Sequence, residues 1–594
     1  MRWSSAFVLA ASPLCLASPF VSKRWDDVEL LTKHSWNEVP RGWFYKAAPS
    51  PDHVLDMRIG LKKANAAALI SSLYEVSDPR HERYGKHLSK QDVDALVAPH
   101  TDTVDAVESW LRFHGIEPSN ALFRSSGGNW LTVTVTVAQA ERMLGTTYGI
   151  YEHSESDASV IRTLSYALPA ELHDHIDVMA PTTYFSTTRT FRATSFVEED
   201  TVDDSDRKVS DQALTAAGIP SSCNTAITID CLQALYNTAD YTPTQTDVNK
   251  LGVAGYLDEY ANRNDLQTFL KQYRPDAAGA EYDTVSVQDG GDDQSDPGIE
   301  ANLDIQYTVG MSYPTPNIYY STGGSPPFNP DTQTPTNTNE PYLDWLNYIL
   351  AQDEIPQTIT TSYGDDEQTV PLEYADSVCA LLAELGARGT TVFFSSGDFG
   401  VGGGDCQTND GKNQTLFQPA FPASCPYVTA VGGTTGVEPE QAVDFSGGGF
   451  SNYFGVPSYQ SQVVSDYVKG LDGQFEGLYN TSGRAYPDLA AQGSGFRVVV
   501  GGRVRSVGGT SASSPTVAGI FALLNDYRLS KNLTSLGFIN PLIYANPDGF
   551  NDITNGTNPG CGTEGFASKE GWDPVTGLGT PDFKKLQSIV ASAE

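Results

Sequence analysis

The chain has no histidine after His175. All nine of its histidines lie between His34 and His175, and residues 176–594 contain none. A serine nucleophile normally gives up its proton to histidine. Without histidine, residues 176–594 cannot contain a Ser-His-Asp triad. A serine nucleophile there would need a carboxylate as its base, and a carboxylate base normally works at acid pH.

Basic residues are also scarce, with 37 Lys and Arg against 73 Asp and Glu and a net charge of −36. Nucleic acid is therefore an unsuitable partner. The front region, residues 1–192, has a net charge of −3, whereas the back region, residues 207–594, has −27. The linker between them, residues 193–206, has six acidic side chains and no basic one, which indicates a boundary between two parts of the chain.

Long hydrophobic runs are missing after residue 16, so no membrane-spanning segment is predicted. The apolar run at residues 6–16 follows Arg2 and precedes small residues that suit cleavage, a pattern that predicts a secretory signal peptide over residues 1–17. A buried first strand is the weaker alternative, because nothing precedes it to pair with. We expect a secreted, extracellular protein.

Seven cysteines are present, and one of them lies in the predicted signal peptide. An even number in a secreted chain predicts three disulfides, with about 15 pairing patterns open. The six cysteines concerned are Cys223, Cys231, Cys379, Cys406, Cys425 and Cys561. Sequons for N-glycosylation begin at Asn413, Asn480, Asn532 and Asn555, and the sequence leaves open which of them are used.

The front region mixes strand and helix patterns. Alternating side chains predict strands over residues 54–64 and 130–137. Helical spacing predicts helices over residues 65–76, 90–97 with Ser89 as N-cap, and 104–113. The combination predicts an α+β sandwich, and its histidines are expected at the surface or at an interface.

The back region alternates short apolar runs with amphipathic segments. Strands are predicted over residues 251–257, 357–362, 390–396 and 427–431, and helices over 264–273, 298–311, 342–352, 373–388 and 516–527. Buried apolar strands that alternate with helices predict an α/β fold with a doubly wound parallel sheet. Functional sites in such folds lie at the carboxyl ends of the strands.

The first candidate motif is a pair of acids. Glu300 and Asp304 are four residues apart on a predicted helix that has Asp296 as N-cap and Pro297 as first residue. Like charges at this spacing repel each other unless they share a proton, which raises the pKa of one of them. The commoner alternative is a solvated acidic helix face.

The second motif ends a predicted strand with Asp398 in a glycine turn, at residues 393–400. A protonated Asp398 could donate a hydrogen bond to a developing oxyanion, again at acid pH. The alternative is a turn-forming Asp beside Gly.

The third motif, residues 506–515, has Ser511 on a tight turn where a helix begins. The backbone N–H groups and the helix dipole favour negative charge at that point. The alternative is a Ser/Gly-rich helix cap. Of the three motifs, this one is the most specific.

In this order the three motifs resemble those of the sedolisin family, the serine-carboxyl peptidases, and most of all its secreted fungal tripeptidyl-peptidases. Residues 54–113 are similar to the prosegment of that family. Residues 362–364 and 446–449 are similar to the segments that line its substrate cleft. The chain does not depart from the family at any of the four catalytic positions.

The resemblance implies a role for each candidate residue. Ser511 would be the nucleophile, Glu300 its base, Asp304 the partner that holds Glu300, and Asp398 the oxyanion donor. It also implies a subtilisin-like catalytic domain over residues 206–594, with a prosegment over residues 18–205 that is removed on activation. Tripeptide release from free N-termini is the implied activity, and endopeptidase action is the alternative.

The resemblance further implies one structural calcium ion near the end of the chain. The family site uses two Asp side chains and three backbone carbonyls, which match Asp552, Ile553, Lys569, Gly571 and Asp573 here. Family members usually have Gly where Lys569 stands, a change that a carbonyl ligand tolerates. We interpret the acidic run at residues 289–296 as a solvated loop rather than a second cation site.

Other function classes remain open at this point. One alternative is a catalytically inactive protein that only binds peptides, and another is a lectin-like or adhesive glycoprotein. Both leave the combination of carboxylates and serine unexplained. The expected partners are polypeptide substrates and the chain's own prosegment as inhibitor and folding aid, with the protein a monomer.

Overall fold

The computed structural model describes residues 25, 28–36, 38–39, 43–153, 159–183, 185, 195–198, 214, 218–324 and 340–592. The predicted signal peptide, residues 1–17, and most of the linker lie outside these residues. Within them, no helix is long and apolar enough to cross a membrane.

The front region forms an α+β sandwich, as predicted. Its strands are β1 (Leu30–Ser35), β2 (Trp43–Ala47), β3 (Val54–Leu61), β4 (Phe123–Arg124), β5 (Trp130–Thr136), β6 (Gly149–His153), β7 (Ser159–Arg162), β8 (Ser165–Pro169) and β9 (Ile176–Ala180). Its helices are α1 (Ala66–Ser77), α2 (Lys90–Val97), α3 (Thr101–Phe113) and α4 (Val137–Leu144). An antiparallel sheet in the order β4-β5-β3-β9 packs its buried face against α3 and α4.

The linker contributes one short strand, β10 (Phe196–Val197). The strands of the back region are β11 (Leu251–Gly255), β12 (Tyr282–Val287), β13 (Asn317–Thr322), β14 (Thr358–Thr361), β15 (Asp365–Asp366), β16 (Thr391–Ser395), β17 (Ala420–Phe421), β18 (Thr429–Thr435), β19 (Gln441–Ala442), β20 (Gly449–Gly455), β21 (Gly483–Tyr486), β22 (Leu489–Gln492), β23 (Phe496–Val500), β24 (Arg503–Gly508), β25 (Phe550–Asn551) and β26 (Thr580–Pro581). The helices of the back region are α5 (Ile229–Leu235), α6 (Arg263–Tyr273), α7 (Ile299–Ser312), α8 (Tyr342–Ala351), α9 (Leu372–Ala387), α10 (Ser461–Gly470), α11 (Thr510–Ser530), α12 (Asn540–Ala545) and α13 (Phe583–Ser592).

The centre of the back region is an eight-stranded sheet in the order β12-β13-β11-β14-β16-β18-β19, with β22 also paired to β18. All of its pairings are parallel except that of β19, which lies antiparallel on β18. Parallel pairing requires crossover connections, which explains why helices alternate with these strands. The predicted α/β fold is therefore confirmed, and the carboxyl ends of β11, β14 and β16 share one edge.

Helices α7 and α11 are buried over most of their length and lie against each other. Their close approach depends on Gly519, because a Cβ atom at that position would lie 2.5 Å from the Cβ atom of Met311. This contact brings the residues at the start of α11 beside those of α7.

Three disulfides are formed, as the even number of cysteines predicted. They join Cys223 to Cys231, Cys379 to Cys425, and Cys406 to Cys561. All three lie in the back region, and the longest loop that they close spans 155 residues.

Helix α11 begins at Thr510, beside the turn where the third motif predicted a helix start, and not at residue 516, where the apolar pattern placed it. Pro515 lies inside the helix. Proline lacks an N–H group and so leaves the carbonyl four residues before it without its helical donor. Here that carbonyl belongs to Ser511, and the Ser362 hydroxyl donates to it at 3.3 Å. Ser362, which follows β14, therefore supplies the donor that Pro515 cannot, and the helix continues through the proline.

The cap of α7 was predicted wrongly, although the predicted extent of the helix, residues 298–311, differs from the structure by one residue at each end. The helix begins at Ile299 with Gly298 as N-cap, rather than with Asp296 and Pro297. The Glu259 carboxylate accepts hydrogen bonds from the N–H groups of Glu300 and Ala301, so a distant residue caps the helix.

Two ion pairs and an apolar cluster join the front region to the back. Lys63 pairs with Glu384 at 2.7 Å, and Arg58 pairs with Asp344 at 3.1 Å. Helices α1 and α2 pack on α9 through an apolar cluster that includes Leu69, Leu73, Val93, Val97, Ala383, Ala387 and Phe538.

Candidate active site

Glu300 and Asp304 occupy one face of α7, and both side chains are fully buried. A solvated acidic face is therefore not what this pair forms. Burial and the Asp304 carboxylate raise the pKa of Glu300 well above its ordinary value, against hydrogen bonds from Ser195 and Ser511. Burial likewise raises the pKa of Asp304, against a hydrogen bond from Ser362. Burial beside a second carboxyl group therefore makes each member of the pair hold a proton at a higher pH than an isolated carboxyl group would.

Ser511 is the second residue of α11 and is also fully buried. Its hydroxyl donates to the carbonyl oxygen of Ser362 at 3.1 Å and interacts with the Glu300 carboxyl group. Neither Glu300 oxygen has a donor at full hydrogen-bond geometry within the described residues, so this contact is either long or poorly aligned. Catalytic hydrogen bonds are often long until a substrate binds, so the arrangement suits proton transfer from Ser511 to Glu300.

Ser362, just after β14, joins the two central helices. Its hydroxyl lies 2.6 Å from Asp304 Oδ1 and 3.3 Å from the Ser511 carbonyl oxygen. Sequence reasoning had assigned residues 362–364 only to the lining of the cleft. The available signal was their position after a buried parallel strand, at the sheet edge where sites form.

Glu259 is a third carboxylate beside the pair, and sequence reasoning missed it. Burial raises its pKa against hydrogen bonds from the N–H groups of α7. Its charge in turn contributes to the raised pKa values of Glu300 and Asp304. Glu259 follows β11, so its place at the same sheet edge was a usable signal.

Asp398 follows β16, and its carboxyl group is held at the start of α11. Oδ1 accepts from the N–H of Thr510 at 2.7 Å and from its hydroxyl at 2.8 Å. Oδ2 is buried and has no hydrogen-bond partner in the described part of the chain. Burial raises the pKa of Asp398 to about 7, against those hydrogen bonds. Below that pH, a proton on Oδ2 is available for donation.

A cavity of about 260 Å³ lies beside Asp398. Gly364 and Gly447 line it, and they belong to the two segments predicted to line the substrate cleft. A Cβ atom on Gly447 would lie 2.2 Å from the Ser396 carbonyl oxygen, so only glycine fits there. The cavity can hold a side chain next to the oxyanion position.

The linker lies across this site. Ser195 and Phe196 line the cavity, and the ring of Phe196 packs edge-on against Phe445 at 5.1 Å between centroids. Strand β10 pairs antiparallel with β24. Residues 195–197 of the chain therefore lie at the site itself, beside Asp398 and Glu300.

The residues predicted to bind calcium lie in two adjoining loops. Asp552 Oδ2 accepts from the N–H of Gly571 at 2.9 Å, and Asp573 Oδ2 accepts from the N–H of Lys569 at 3.0 Å. Ile553 follows Asp552 directly. Asp573 is fully buried, and within the described residues neither Asp forms an ion pair with a basic side chain. Two carboxylates without cations, among glycine-rich backbone, fit a hard cation.

No group of three or more His, Cys, Asp or Glu side chains is arranged for a metal ion among the residues described. A cation at the Asp552–Asp573 loops would therefore depend on backbone carbonyls for its other ligands. The acidic run at residues 289–296 is an exposed loop, as interpreted, in which Asp292 pairs with Arg263.

Two family matches cover most of the chain. Residues 41–185 match the family described as Pro-kumamolisin, activation domain. Residues 347–535 match the Subtilase family. The front and back regions therefore correspond to an activation domain and a peptidase domain.

Full-length relatives are fungal. The chain is 41% identical to tripeptidyl-peptidase SED2 of Arthroderma otae, over 93% of this chain and 94% of the relative. It is 37% identical to the probable tripeptidyl-peptidase SED4 of Trichophyton verrucosum, over 99% of each chain. Among solved structures, Pseudomonas sedolisin complexed with two molecules of pseudo-iodotyrostatin is 23% identical, with a TM-score of 0.46, over 62% of this chain and 98% of that one.

Proposed function

The chain belongs to the sedolisin family of serine-carboxyl peptidases, and from this membership we propose that it is a secreted zymogen whose mature form releases tripeptides from free N-termini at acid pH. The observation that carries the proposal is the buried site where Glu300, Asp304 and Asp398 meet Ser511. It holds every group that acyl transfer requires, without histidine.

In the proposed reaction, Glu300 takes the proton of the Ser511 hydroxyl while Oγ attacks the carbonyl carbon of the substrate. Asp304 keeps Glu300 in place and shares a proton with it, and Ser362 orients Asp304. Protonated Asp398 donates its hydrogen bond to the oxyanion. Glu300 then gives its proton to the departing amine, and water releases the acyl group from Ser511.

The tripeptidyl activity is proposed from the names of the full-length relatives. A long peptide with a free N-terminus should lose successive tripeptides, because an exopeptidase recognises the terminal ammonium group. The same peptide with an acetylated N-terminus should be cut at least about 100-fold more slowly. Acetylation removes the charged ammonium group, and the groups of the site that bind it are then left without a partner. Mass spectrometry of the products over time gives both rates.

Equal rates for the free and acetylated peptides would contradict the tripeptidyl activity and favour the endopeptidase alternative. The position of the linker supports endopeptidase action for the first cut in the chain itself. The linker that crosses the site has almost 200 residues before it, so a first cut in the chain itself cannot be a tripeptide release.

We also propose that calcium binds at Asp552 and Asp573 through their carboxylates, with the carbonyls of Ile553, Lys569 and Gly571 completing the site. Such an ion would neutralise a buried carboxylate and hold the two loops together. Its role would be structural, because none of its ligands takes part in the proposed reaction at Ser511.

Removal of calcium should lower the melting temperature of the protein. An ion present at 100 times its Kd stabilises the folded state by about 2.7 kcal/mol, which corresponds to several degrees in a domain of this size. Calorimetry with and without chelator at pH 5.5 measures the change. In Asp573→Ala the melting temperature should no longer respond to chelator, whereas in the exposed Asp548→Ala it should respond as in wild type. An unchanged melting temperature in chelated wild type would argue against the site.

The remaining parts of the proposal concern processing. We propose residues 1–17 as signal peptide, residues 18–205 as prosegment and residues 206–594 as a monomeric catalytic domain. Among the sequon asparagines, Asn413, Asn532 and Asn555 are exposed and open to glycosylation. Asn480 is half-buried, and its side-chain amide donates to the Ser451 carbonyl at 2.8 Å, so it is a poorer acceptor.

A further inference from the structure

The carboxylate of Glu198, in the linker, is held by three neutral donors. The Ser494 hydroxyl donates at 2.7 Å, the Ser506 hydroxyl at 2.8 Å and the Gly495 N–H at 3.0 Å. Within the described residues Glu198 forms no ion pair with a basic side chain. Convergent hydroxyl and N–H donors of this kind bind a carboxylate by charge-assisted hydrogen bonds.

The direction of the linker shows which part of the substrate cleft these donors belong to. Phe196 pairs with Gly508 and Val197 with Val507, and the Glu198 N–H donates to the Ser506 carbonyl at 3.0 Å. Along β10 the linker therefore runs away from Ser511.

Ser195, the residue before this strand, interacts with Glu300. Residues 196–198 consequently follow, in chain order, the residue that faces the catalytic groups. In a bound substrate, the same path along β24 would be taken by residues of the leaving group.

The local charge also suits a carboxylate. The hairpin of β23 and β24 carries Arg497, Arg503 and Arg505 and no acidic residue, although the back region as a whole has a net charge of −27. A locally positive surface in an acidic domain attracts a negative group to this hairpin.

We propose that Ser494, Ser506 and the Gly495 N–H form a subsite for an acidic side chain of the polypeptide substrate, on the leaving-group side of the cleft. The side chain would belong to the third residue after the one that contacts Glu300. In the zymogen Glu198 fills the subsite. In the mature enzyme the subsite favours substrates that have an acidic side chain at this position. This proposal rests on the proposed peptidase function of the neighbouring groups.

A pair of peptides tests this subsite. Both have a free N-terminus and the sequence Ala-Ala-Phe-Ser-Phe-Val-X-Gly-Gly amide, in which Ser-Phe-Val-X repeats the linker and X is Glu or Gln. The enzyme is matured from a chain with Glu198→Gln, so that its own carboxylate cannot compete. At pH 5.5 the peptide Glu is ionised, and we expect a kcat/KM about fivefold higher for X = Glu, mainly through KM.

The double variant Ser494→Ala/Ser506→Ala should bring the Glu/Gln ratio of kcat/KM close to one. Ser588→Ala, at an exposed serine of α13, is the matched control and should keep the ratio of the parent enzyme. A ratio of one in the parent enzyme, or an unchanged ratio in the double variant, would overturn the subsite. If neither peptide is cut after its third residue, the tripeptidyl function fails instead, and the two failures are distinguishable.

Discussion

Ser511→Ala and Glu300→Gln should each abolish peptide hydrolysis while leaving the fold intact. Loss of a nucleophile or of its base in serine peptidases lowers kcat by on the order of 10⁶-fold, because the two act as a unit. Both side chains are buried and Gln has nearly the shape of Glu, so neither change alters the packing of α7 against α11. Rates on a chromogenic peptide at pH 4, with circular dichroism as the test of folding, measure the effect.

Ser514→Ala and Glu354→Gln are matched controls. Ser514 lies in the same motif, but its hydroxyl contacts Thr360 at 2.8 Å, and Glu354 is exposed. Both should retain activity. Asp398→Ala should be intermediate, with a loss of about 10²–10³-fold in kcat, as expected for one oxyanion donor. Full activity in Ser511→Ala or in Glu300→Gln would disprove the proposed mechanism.

The pH dependence follows from the same groups. Asp398 must be protonated to donate, and burial raises its pKa to about 7, so activity should fall as the pH rises through that value. Glu300 must be able to accept a proton, so activity should also fall at low pH, when the carboxyl pair takes up its second proton. These limits refer to the site with the linker bound; in the mature enzyme, whose site is open to water, we expect both at lower pH.

Acidification of the full-length chain to pH 4 should produce a cut within the linker, between residues 195 and 206, and Ser511→Ala should stay whole in the absence of other peptidases. Residues 195–198 lie beside Asp398, Glu300 and β24 in this structure, so the chain's own site should reach the linker first. Electrophoresis and N-terminal sequencing of the product provide the measurement. A wild-type chain that stays whole at pH 4, or a cut within residues 54–137, would contradict the zymogen and its proposed boundary.

His87 explains why acid should weaken the association of the front region with the back region. It lies half-buried between the front and back regions, where Nε2 lies 2.7 Å from the Ser535 carbonyl oxygen. Burial lowers its pKa, opposed by that hydrogen bond and reinforced by Arg528. Because its pKa is lower in the associated state than the ordinary value of about 6.5, association weakens as the pH falls below that value.

Protonation of Glu384 has the opposite effect on the association of the two regions. Burial raises its pKa despite its pairing with Lys63, so proton uptake by Glu384 alone favours association. We therefore expect His87 to carry the acid release. In a Ser511→Ala chain, hydrogen exchange in α9 should accelerate between pH 6.5 and 4.5 after correction for intrinsic rates. His87→Gln should reduce that acceleration, whereas the exposed His100→Gln should not change it.

Features that depend on neighbouring residues were predicted well from the sequence. The capping box at Ser89 is one example, since its hydroxyl accepts from the Asp92 N–H at 3.1 Å and both residues are local. The cap of α7 was predicted wrongly because Glu259, which caps the helix, comes from a distant loop. The apolar pattern placed the start of α11 too late for a similar reason, since Ser362 satisfies the carbonyl that Pro515 leaves free.

The absence of histidine after His175 determined, without any structure, that a serine nucleophile in the back region would need a carboxylate as base. Only the tertiary structure decided that Glu300 and Asp304 form a buried pair with raised pKa values rather than a solvated helix face. The reason is that a raised pKa comes from burial, and burial depends on distant segments that pack around the group. The same packing placed Ser362 and Glu259 at the site and laid the linker, with Glu198, across it.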